Sequence, residues 1–124
     1  MTAFPRTADV GNLEGTRWEP LQATVDTGSS FSTFPRATLE RLGVRPERQE
    51  SFQLANGAVV RCDVATVQVR LEGKTGPSLA IFGEPGEPNL IGAHTLESLL
   101  LGVDPVNERL IPIVGLRLSR FPHR

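Results

Sequence analysis

The sequence predicts a small, mostly β domain that closes on itself and has little parallel-sheet character. Two observations support this prediction: about eight short β-prone runs are separated by Gly, Pro and Asn turns, whereas only two short stretches have helix signals. At 124 residues, with no internal repeat and no linker composition, residues 1–124 are expected to form a single domain.

The charge balance argues against several classes of partner. Lys and Arg number 13 against 14 Asp and Glu, and the basic residues are scattered, so no nucleic-acid partner is expected. No apolar stretch approaches the length of a membrane span, and residues 1–6 lack the apolar core of a signal peptide. We therefore expect no membrane partner and a cytoplasmic location.

The cysteine and histidine content argues against a disulfide and a metal site. Cys62 is the only cysteine, and no motif places His94 or His123 beside it as a base. One Cys and two dispersed His leave no ligand set for zinc, and no cofactor is expected. Cys62 is interpreted as a small buried apolar residue, which is the usual state of a free cysteine.

The first third of the chain predicts two strands before a central acidic residue. Residues 1–16 contain Pro and Gly among a few apolar positions, which indicates a short strand and a turn. Residues 17–25 predict a second strand whose C-terminal end leads directly into Asp26. Residues 31–34 are again β-prone.

A short helix is predicted over residues 35–42. A proline suits its first turn, Ser32 or Thr33 is available as the N-cap, and Gly43 provides the stop. The polar residues 47–50 are interpreted as a solvated loop.

A hairpin is predicted around Asn56-Gly57, because Asn-Gly between β-prone runs is the strongest short-range hairpin signal. The flanking runs are residues 52–54 and 59–62. Considered alone, this is an ordinary hairpin. With Asp26-Thr27-Gly28 upstream, a flap over a substrate becomes the favoured interpretation, because such a hairpin can exclude water and hold extended peptide by main-chain hydrogen bonds.

The second half of the chain alternates strands with turns before a second helix. In order, the predicted elements are a strand at 65–72, a turn at 73–77, a strand at 78–82, a loop at 83–88, a helix at 93–99, and a hairpin of 101–104 with 110–114. Val67, Val69 and Leu71 share the face predicted to be buried. The loop is half Gly and Pro, and its Glu84 and Glu87 are interpreted as solubilising.

The motif Asp26-Thr27-Gly28 follows the second predicted strand. A carboxylate that a strand delivers into a Thr-Gly turn suits peptide hydrolysis, because glycine lets a substrate backbone approach the acid closely. A simpler interpretation is that Asp26 caps a turn in a small β-barrel interaction domain.

Three features occur in the order of a known family: Asp26-Thr27-Gly28, the Asn56-Gly57 hairpin, and the apolar-apolar-Gly triplet Leu90-Ile91-Gly92. In this order the chain resembles the retropepsin-like (retroviral-type) aspartic proteases, including small single-domain bacterial members, over about residues 6–114. The resemblance implies a closed acid protease barrel, active as a two-fold homodimer. It also implies an aspartic endopeptidase that hydrolyses peptide bonds in extended polypeptide. In such dimers the chain termini commonly pair across the two-fold axis.

The resemblance implies roles for the residues of the catalytic loop. Asp26 is the catalytic acid, Thr27 bonds across the dimer axis to the partner's loop, and Gly28 leaves room for substrate and offers its carbonyl. The hydroxyl of Ser29 can bond the outer oxygen of the carboxylate. Such a bond favours the charged form, so we expect activity centred at lower pH than with Ala at this position.

The resemblance also implies substrate-contacting and supporting residues. The flap that contacts substrate comprises Leu54, Ala55, Asn56, Gly57 and Ala58. The structural support beneath the catalytic loop comprises Leu90, Ile91 and Gly92. Candidate apolar wall residues, which predict an apolar preference around the scissile bond, are Leu54, Val59, Ile81 and Phe82.

One chain supplies only half of the acid pair that this chemistry needs. Hydrolysis by this route uses two carboxylates that share a proton, and Asp9, Asp63 and Asp104 lack the Thr-Gly context. The second Asp26 is therefore expected from a second copy in a homodimer. Two adjacent carboxylates titrate as a pair, which predicts activity at acidic pH. The alternative is a catalytically weak or inactive retropepsin-like module for dimerisation or peptide binding.

Overall fold

The computed structural model describes residues 3–117, and these residues are mostly β. Within this span the elements are β1 (Ala3–Gly11), β2 (Trp18–Asp26), β3 (Ser32–Pro35), α1 (Arg36–Arg41), β4 (Arg48–Gln53), β5 (Val59–Leu71), β6 (Lys74–Gly83), β7 (Leu90–Ile91), α2 (Ala93–Ser98), β8 (Leu101–Asp104) and β9 (Arg109–Pro112). The mostly β fold class with two short helices is confirmed for these residues.

Seven strands form one sheet in the order β1-β2-β7-β3-β6-β5-β4, and β8 pairs separately with β9. Strand β1 also pairs with β5, through residues 9–11 and 68–70. Most neighbouring strands are antiparallel, but β7 is parallel to β2 and β6 is parallel to β3. The short β7 therefore lies between β2 and β3, the two strands that flank the Asp26 loop.

Alternating side chains on the strands build the core. Val67, Val69 and Leu71 of β5 are all buried, as their period of two predicted. They belong to the same core cluster as Phe34 of β3 and Phe82 of β6. Full burial of side chains of this size contributes about 1.5–3 kcal/mol each, so the core rather than the short helices holds the sheet together.

The first helix begins and is capped differently from the prediction. Helix α1 starts after Pro35, and its N-cap makes no side-chain hydrogen bond. The predicted caps are wrong, because Ser32 and Thr33 lie in β3 and are buried. The predicted stop is confirmed, since the helix ends before Gly43.

The prediction of a solvated loop at residues 47–50 is wrong. Arg48–Gln53 forms β4, which pairs with β5 along its whole length. Strand β4 lies at the edge of the sheet, where charged and polar side chains are common because they discourage pairing with other chains. Such a strand lacks the apolar alternation that would have indicated it.

Strands β5 and β6 are longer than predicted. The predicted strands at 59–62 and 65–72 are one continuous strand, Val59–Leu71. The chain reverses at Glu72-Gly73, not over 73–77, so the residues after this turn already pair with β5 as part of β6. A two-residue turn of this kind matches the twist of the strands that it joins.

The predicted C-terminal hairpin is confirmed as β8 and β9, although β9 ends at Pro112 and not at residue 114. Asp104 closes its turn by accepting the backbone N–H groups of Val106 and Asn107. The sequence of residues 121–124 predicts a frayed end, but residues 118–124 lie outside the described residues. Within the described part of the chain, neither helix has the length and apolar character needed to cross a membrane.

Candidate active site

Asp26 is the last residue of β2, and it is half-buried where the strand turns into the following loop. The backbone N–H of Gly28 donates to Asp26 Oδ1 at 2.9 Å. The N–H of Ser29 donates to the Asp26 carbonyl oxygen at 3.1 Å. The first hydrogen bond fixes the carboxylate relative to its loop, and the second closes the turn of the loop backbone.

The start of α2 holds this loop through two backbone hydrogen bonds. The Ala93 N–H donates to the Ser29 carbonyl oxygen at 2.8 Å, and the His94 N–H donates to the Ser30 carbonyl oxygen at 2.9 Å. N–H groups in the first turn of a helix have no acceptor within the helix. The loop carbonyls therefore satisfy them and couple α2 to the loop.

Gly92 lies against the backbone of Phe31. A Cβ at Gly92 would lie 2.6 Å from both the carbonyl carbon and the carbonyl oxygen of Phe31. Backbone atoms cannot yield to such a contact as the end of a flexible side chain can. Ile91 is fully buried and pairs with Val25 of β2. The structure thus places the triplet Leu90-Ile91-Gly92 directly against the loop.

A buried chain of hydroxyl groups continues from this contact. The Gly92 N–H donates to Ser32 Oγ at 3.0 Å, the hydroxyls of Ser32 and Thr95 are hydrogen-bonded, and Thr95 Oγ1 lies 2.7 Å from Ser78 Oγ. Ser78 in turn donates to the Leu79 carbonyl oxygen at 3.3 Å. With each hydroxyl donating to the next, every member of the chain is satisfied. Sequence reasoning missed this chain, because short polar side chains so far apart in sequence form no motif.

A cleft of about 920 Å³ lies between the loop and the β4–β5 hairpin. At the hairpin tip, the Leu54 N–H donates to the Ala58 carbonyl oxygen at 2.8 Å, and the Gly57 N–H donates to the Leu54 carbonyl oxygen at 2.9 Å. Gly57 has a φ of 89°, as a three-residue hairpin loop requires of its last member. The predicted hairpin is confirmed, and the cleft has the size of a ligand site.

The structure brings most of the predicted site residues together around this cleft. Those that line it are Asp26, Gly28, Ser29, Leu54, Ala55, Gly57 and Leu90. Those that do not line it are Thr27, Asn56, Ala58, Ile91 and Gly92. The Asn56 side chain instead accepts the Ala58 N–H at 2.9 Å within the hairpin tip, and Thr27 is exposed.

The prediction of apolar wall residues is wrong for two of the four candidates. Leu54 and Ile81 line the cleft, whereas Val59 is 66% exposed outside it and Phe82 is 2% exposed in the core. Successive side chains of a strand point to opposite faces. Val60 therefore lines the cleft in place of Val59, and Ile81 faces the cleft while its neighbour Phe82 faces the core.

Sequence reasoning also missed two phenylalanines that line the cleft. The rings of Phe31 and Phe52 meet edge to face, with centroids 5.6 Å apart and planes at 72°. Phe31 also stacks on the imidazole of His94, at 4.7 Å and 18°. This aromatic stack of Phe52, Phe31 and His94 joins β4, the loop and α2. The alternation of Phe52 with Leu54 was the available signal for the first of these rings.

The role expected for the Ser29 hydroxyl is not supported. It donates to the Phe31 carbonyl oxygen at 3.0 Å, so its proton is committed to the loop backbone and not to the Asp26 carboxylate. The hydrogen bond on which the expected acidic shift of activity depended is therefore missing among the described residues.

The interpretation of Cys62 as a buried core residue is wrong. It is half-buried and lines the cleft. Burial, and then the negative charge of Glu87, raises the pKa of its thiol. Because the thiolate is the reactive form, a raised pKa disfavours a nucleophilic role for Cys62.

Arg36 joins the base of the hairpin to the loop at residues 84–88. Its Nη2 lies 2.8 Å from Asp63 Oδ2 in β5 and 2.8 Å from Glu84 Oε2, and its guanidinium lies 4.9 Å from the centroid of the Phe82 ring. Hydrogen bonds from Arg36 lower the pKa of both carboxyl groups. Glu84 is therefore a structural partner and not merely a solubilising residue.

Comparison with known proteins agrees with this geometry. No curated protein sequence matches the chain at a significant level. A family model described as aspartyl protease matches residues 8–104, a span that includes the Asp26 loop, the β4–β5 hairpin and the Leu90-Ile91-Gly92 triplet. Since the match covers well over half of the chain, the protein belongs to this aspartyl protease family, which is of the retropepsin-like clan.

Proposed function

We propose that the protein is an aspartic endopeptidase that works as a homodimer and hydrolyses peptide bonds in extended polypeptide. The observation that carries this proposal is the position of the Asp26 carboxylate, which lines the 920 Å³ cleft and is tied to its loop by the Gly28 N–H. Membership of an aspartyl protease family supports peptidase chemistry. We also infer that the seven-stranded sheet, with its additional β1–β5 pairing, is the closed barrel of this fold.

A second copy of the chain would complete the acid pair. Among the described residues that line the cleft, only Asp26 and Glu87 are acidic, and Glu87 accepts the Glu84 N–H at 2.7 Å within its own loop. The proposed pair is therefore Asp26 and its copy in the second protomer. Two carboxylates that meet at the dimer axis in this way would share one proton. One takes a proton from the attacking water while the other protonates the carbonyl oxygen of the scissile peptide.

Exposed apolar side chains near the C-terminal hairpin support dimer formation. Leu100, Ile111, Ile113 and Val114 are all exposed. Exposed large apolar side chains that lie close together in the chain favour a protein interface. Thr27, beside the acid, is also exposed and is free to bond across the two-fold axis in the way that the resemblance implies.

The walls of the cleft support an extended peptide with apolar side chains as the substrate. Phe31, Phe52, Val60 and Ile81 supply apolar surface around the acid. A hairpin beside a cleft can hold an extended peptide by main-chain hydrogen bonds, while pockets for alternate side chains give specificity. A cleft that takes an internal segment of the chain in this way would give endopeptidase cleavage.

Cleavage of unfolded casein across acidic pH tests the proposed activity. We expect peptides from the wild type and none from Asp26→Asn, because the amide cannot accept the proton from water. Asp9→Asn, which makes the same change on a half-buried residue of β1 outside the cleft, is the matched control and should retain activity. Cleavage by Asp26→Asn at the wild-type rate would contradict the proposal. Peptide binding with no cleavage by any form would favour a peptide-binding module.

A mixing experiment tests the shared site. If each site needs Asp26 from both copies, then refolding equal amounts of wild type and Asp26→Asn together leaves about one quarter of the dimers with two acids. The activity per molecule of added wild type then falls to about half. Wild type refolded alone is the control. Undiminished activity per wild-type molecule, or a monomer at all concentrations in sedimentation, would contradict the homodimer.

A further inference from the structure

Glu87 has no part in the proposed mechanism, although it lines the cleft. Among the described lining residues, Glu87 and Asp26 are the only charged side chains, and both are acidic. No Lys or Arg of residues 3–117 forms an ion pair with Glu87. The described walls of the cleft therefore carry negative charge alone.

The local structure fixes Glu87 in this position. The Glu87 N–H donates to the Glu84 carbonyl oxygen at 3.1 Å, and Gly86 has a φ of 91°. With Pro85 before it, this is the pattern of a type II turn. Glu87 Oε1 also accepts the Glu84 N–H at 2.7 Å, and the Glu84 carboxylate is held by Arg36. One carboxylate oxygen of Glu87 thus holds the turn, and the other has no hydrogen-bond partner among the described residues.

Apolar groups line the cleft together with this carboxylate. Cys62, Ile81 and Pro88 all face the same space. A Lys or Arg side chain can pack its aliphatic stem on apolar groups while its charged end meets a carboxylate. An acidic side chain at the same place would be repelled.

We propose that Glu87 forms a specificity site for a basic side chain, Lys or Arg, of the polypeptide substrate. This inference rests on the proposed function, because it names the substrate class of the same cleft. In a two-fold dimer the site occurs twice, once for each protomer. A basic residue is then favoured on either side of the scissile bond. The carboxylate discriminates both by attracting basic side chains and by rejecting acidic ones.

Product mapping and a matched peptide pair test this site. Mass spectrometry of cleaved casein should show Lys and Arg enriched at a fixed distance from the scissile bond, on either side of it. Two peptides are then made that differ only there, with Lys in one and norleucine, its neutral analogue, in the other. At about pH 6, above the ordinary range of a Glu carboxyl group, we expect kcat/KM to favour the Lys peptide by about 3- to 10-fold.

Variants assign the preference to Glu87. Glu87→Gln keeps a side-chain oxygen for the Glu84 N–H, so the turn survives, and the preference for Lys should fall to about unity. Glu40→Gln makes the same change on an exposed residue of α1 and should keep the preference. Added salt should weaken the preference of the wild type, because it screens exposed charges.

The outcomes separate this inference from the proposed function. Cleavage without enrichment of basic residues, or an equal preference in wild type and Glu87→Gln, would overturn the specificity site and leave the endopeptidase activity standing. If neither peptide is cleaved, the proposed function fails, and the binding of both peptides is compared by fluorescence anisotropy. Tighter binding of the Lys peptide that Glu87→Gln abolishes would support the site, and equal binding would overturn it.

Discussion

The buried hydroxyl chain makes Thr95 a sensitive position for a test of stability. Thr95→Val replaces a hydroxyl by a methyl of similar size where the side chain is fully buried. Ser32 then loses the acceptor of its O–H, and Ser78 loses the hydroxyl that donates to it. The hydrogen bond from the Gly92 N–H to Ser32 remains.

The size of the effect follows from these losses. A buried donor without an acceptor costs about 1–3 kcal/mol, and the Ser78 oxygen, which has lost its donor, adds to this. The extra buried methyl group raises the free energy of unfolding by about 0.8 kcal/mol, which offsets part of this loss. We therefore expect Thr95→Val to lower the free energy of unfolding by about 1–3 kcal/mol. Thr33→Val is the matched control, because Thr33 is buried in β3 but makes no side-chain hydrogen bond among the described residues.

Guanidinium chloride unfolding, followed by the fluorescence of Trp18, the only tryptophan, measures this difference. The midpoint should fall while the slope of the transition stays constant. Protein concentration is held fixed, because dimer dissociation would otherwise change the apparent stability. A loss below about 0.5 kcal/mol, the range of ordinary surface changes, or a loss equal to that of Thr33→Val, would refute the reasoning.

Three further outcomes are expected. Gly92→Ala places a Cβ against the backbone of Phe31. It should therefore lower the free energy of unfolding by about 1–3 kcal/mol and the rate of casein cleavage by at least about tenfold. Normal activity would contradict the close contact. Arg36→Gln removes the guanidinium that lowers the pKa of two carboxyl groups. The stabilising contribution of these carboxyl groups is present above their ordinary pKa values and is lost as pH falls through the lower folded-state values. The difference in unfolding free energy between Arg36→Gln and wild type should therefore shrink on acidification. A difference that does not change with pH would contradict this argument. Cys62, whose thiol pKa is raised by burial and then by Glu87, should react with iodoacetamide at neutral pH more slowly than a free thiol, and an equal rate would contradict this.

The sequence predicted those parts of the site that depend on residues close together in the chain. Asp26 at the end of a strand and the hairpin at Asn56-Gly57 each follow from a local preference of the backbone. Gly92 was predicted by resemblance, and its reason is a close approach that only the three-dimensional structure measures.

The parts that the sequence could not predict depend on pairing between distant segments. The contact of Ser32 with Thr95 joins residues separated by 63 positions, and that of Arg36 with Glu84 joins residues separated by 48. Their neighbours in sequence give no sign of either partner. Strand β4 was missed for a related reason, because an edge strand draws its hydrogen bonds from β5 and needs no apolar face to mark it.

The aromatic stack should produce a ring-current shift that reports on the position of the hairpin. The ring current of Phe31 should displace the resonances of the carbon-bound imidazole protons of His94, since the two rings stack at 4.7 Å. Phe52 of the hairpin touches the same Phe31 ring, so a movement of the hairpin that frees this ring would alter those resonances. The chain has two histidines, so only two sets of imidazole proton signals need to be assigned. Opening of the hairpin can therefore be followed by NMR without introducing a label.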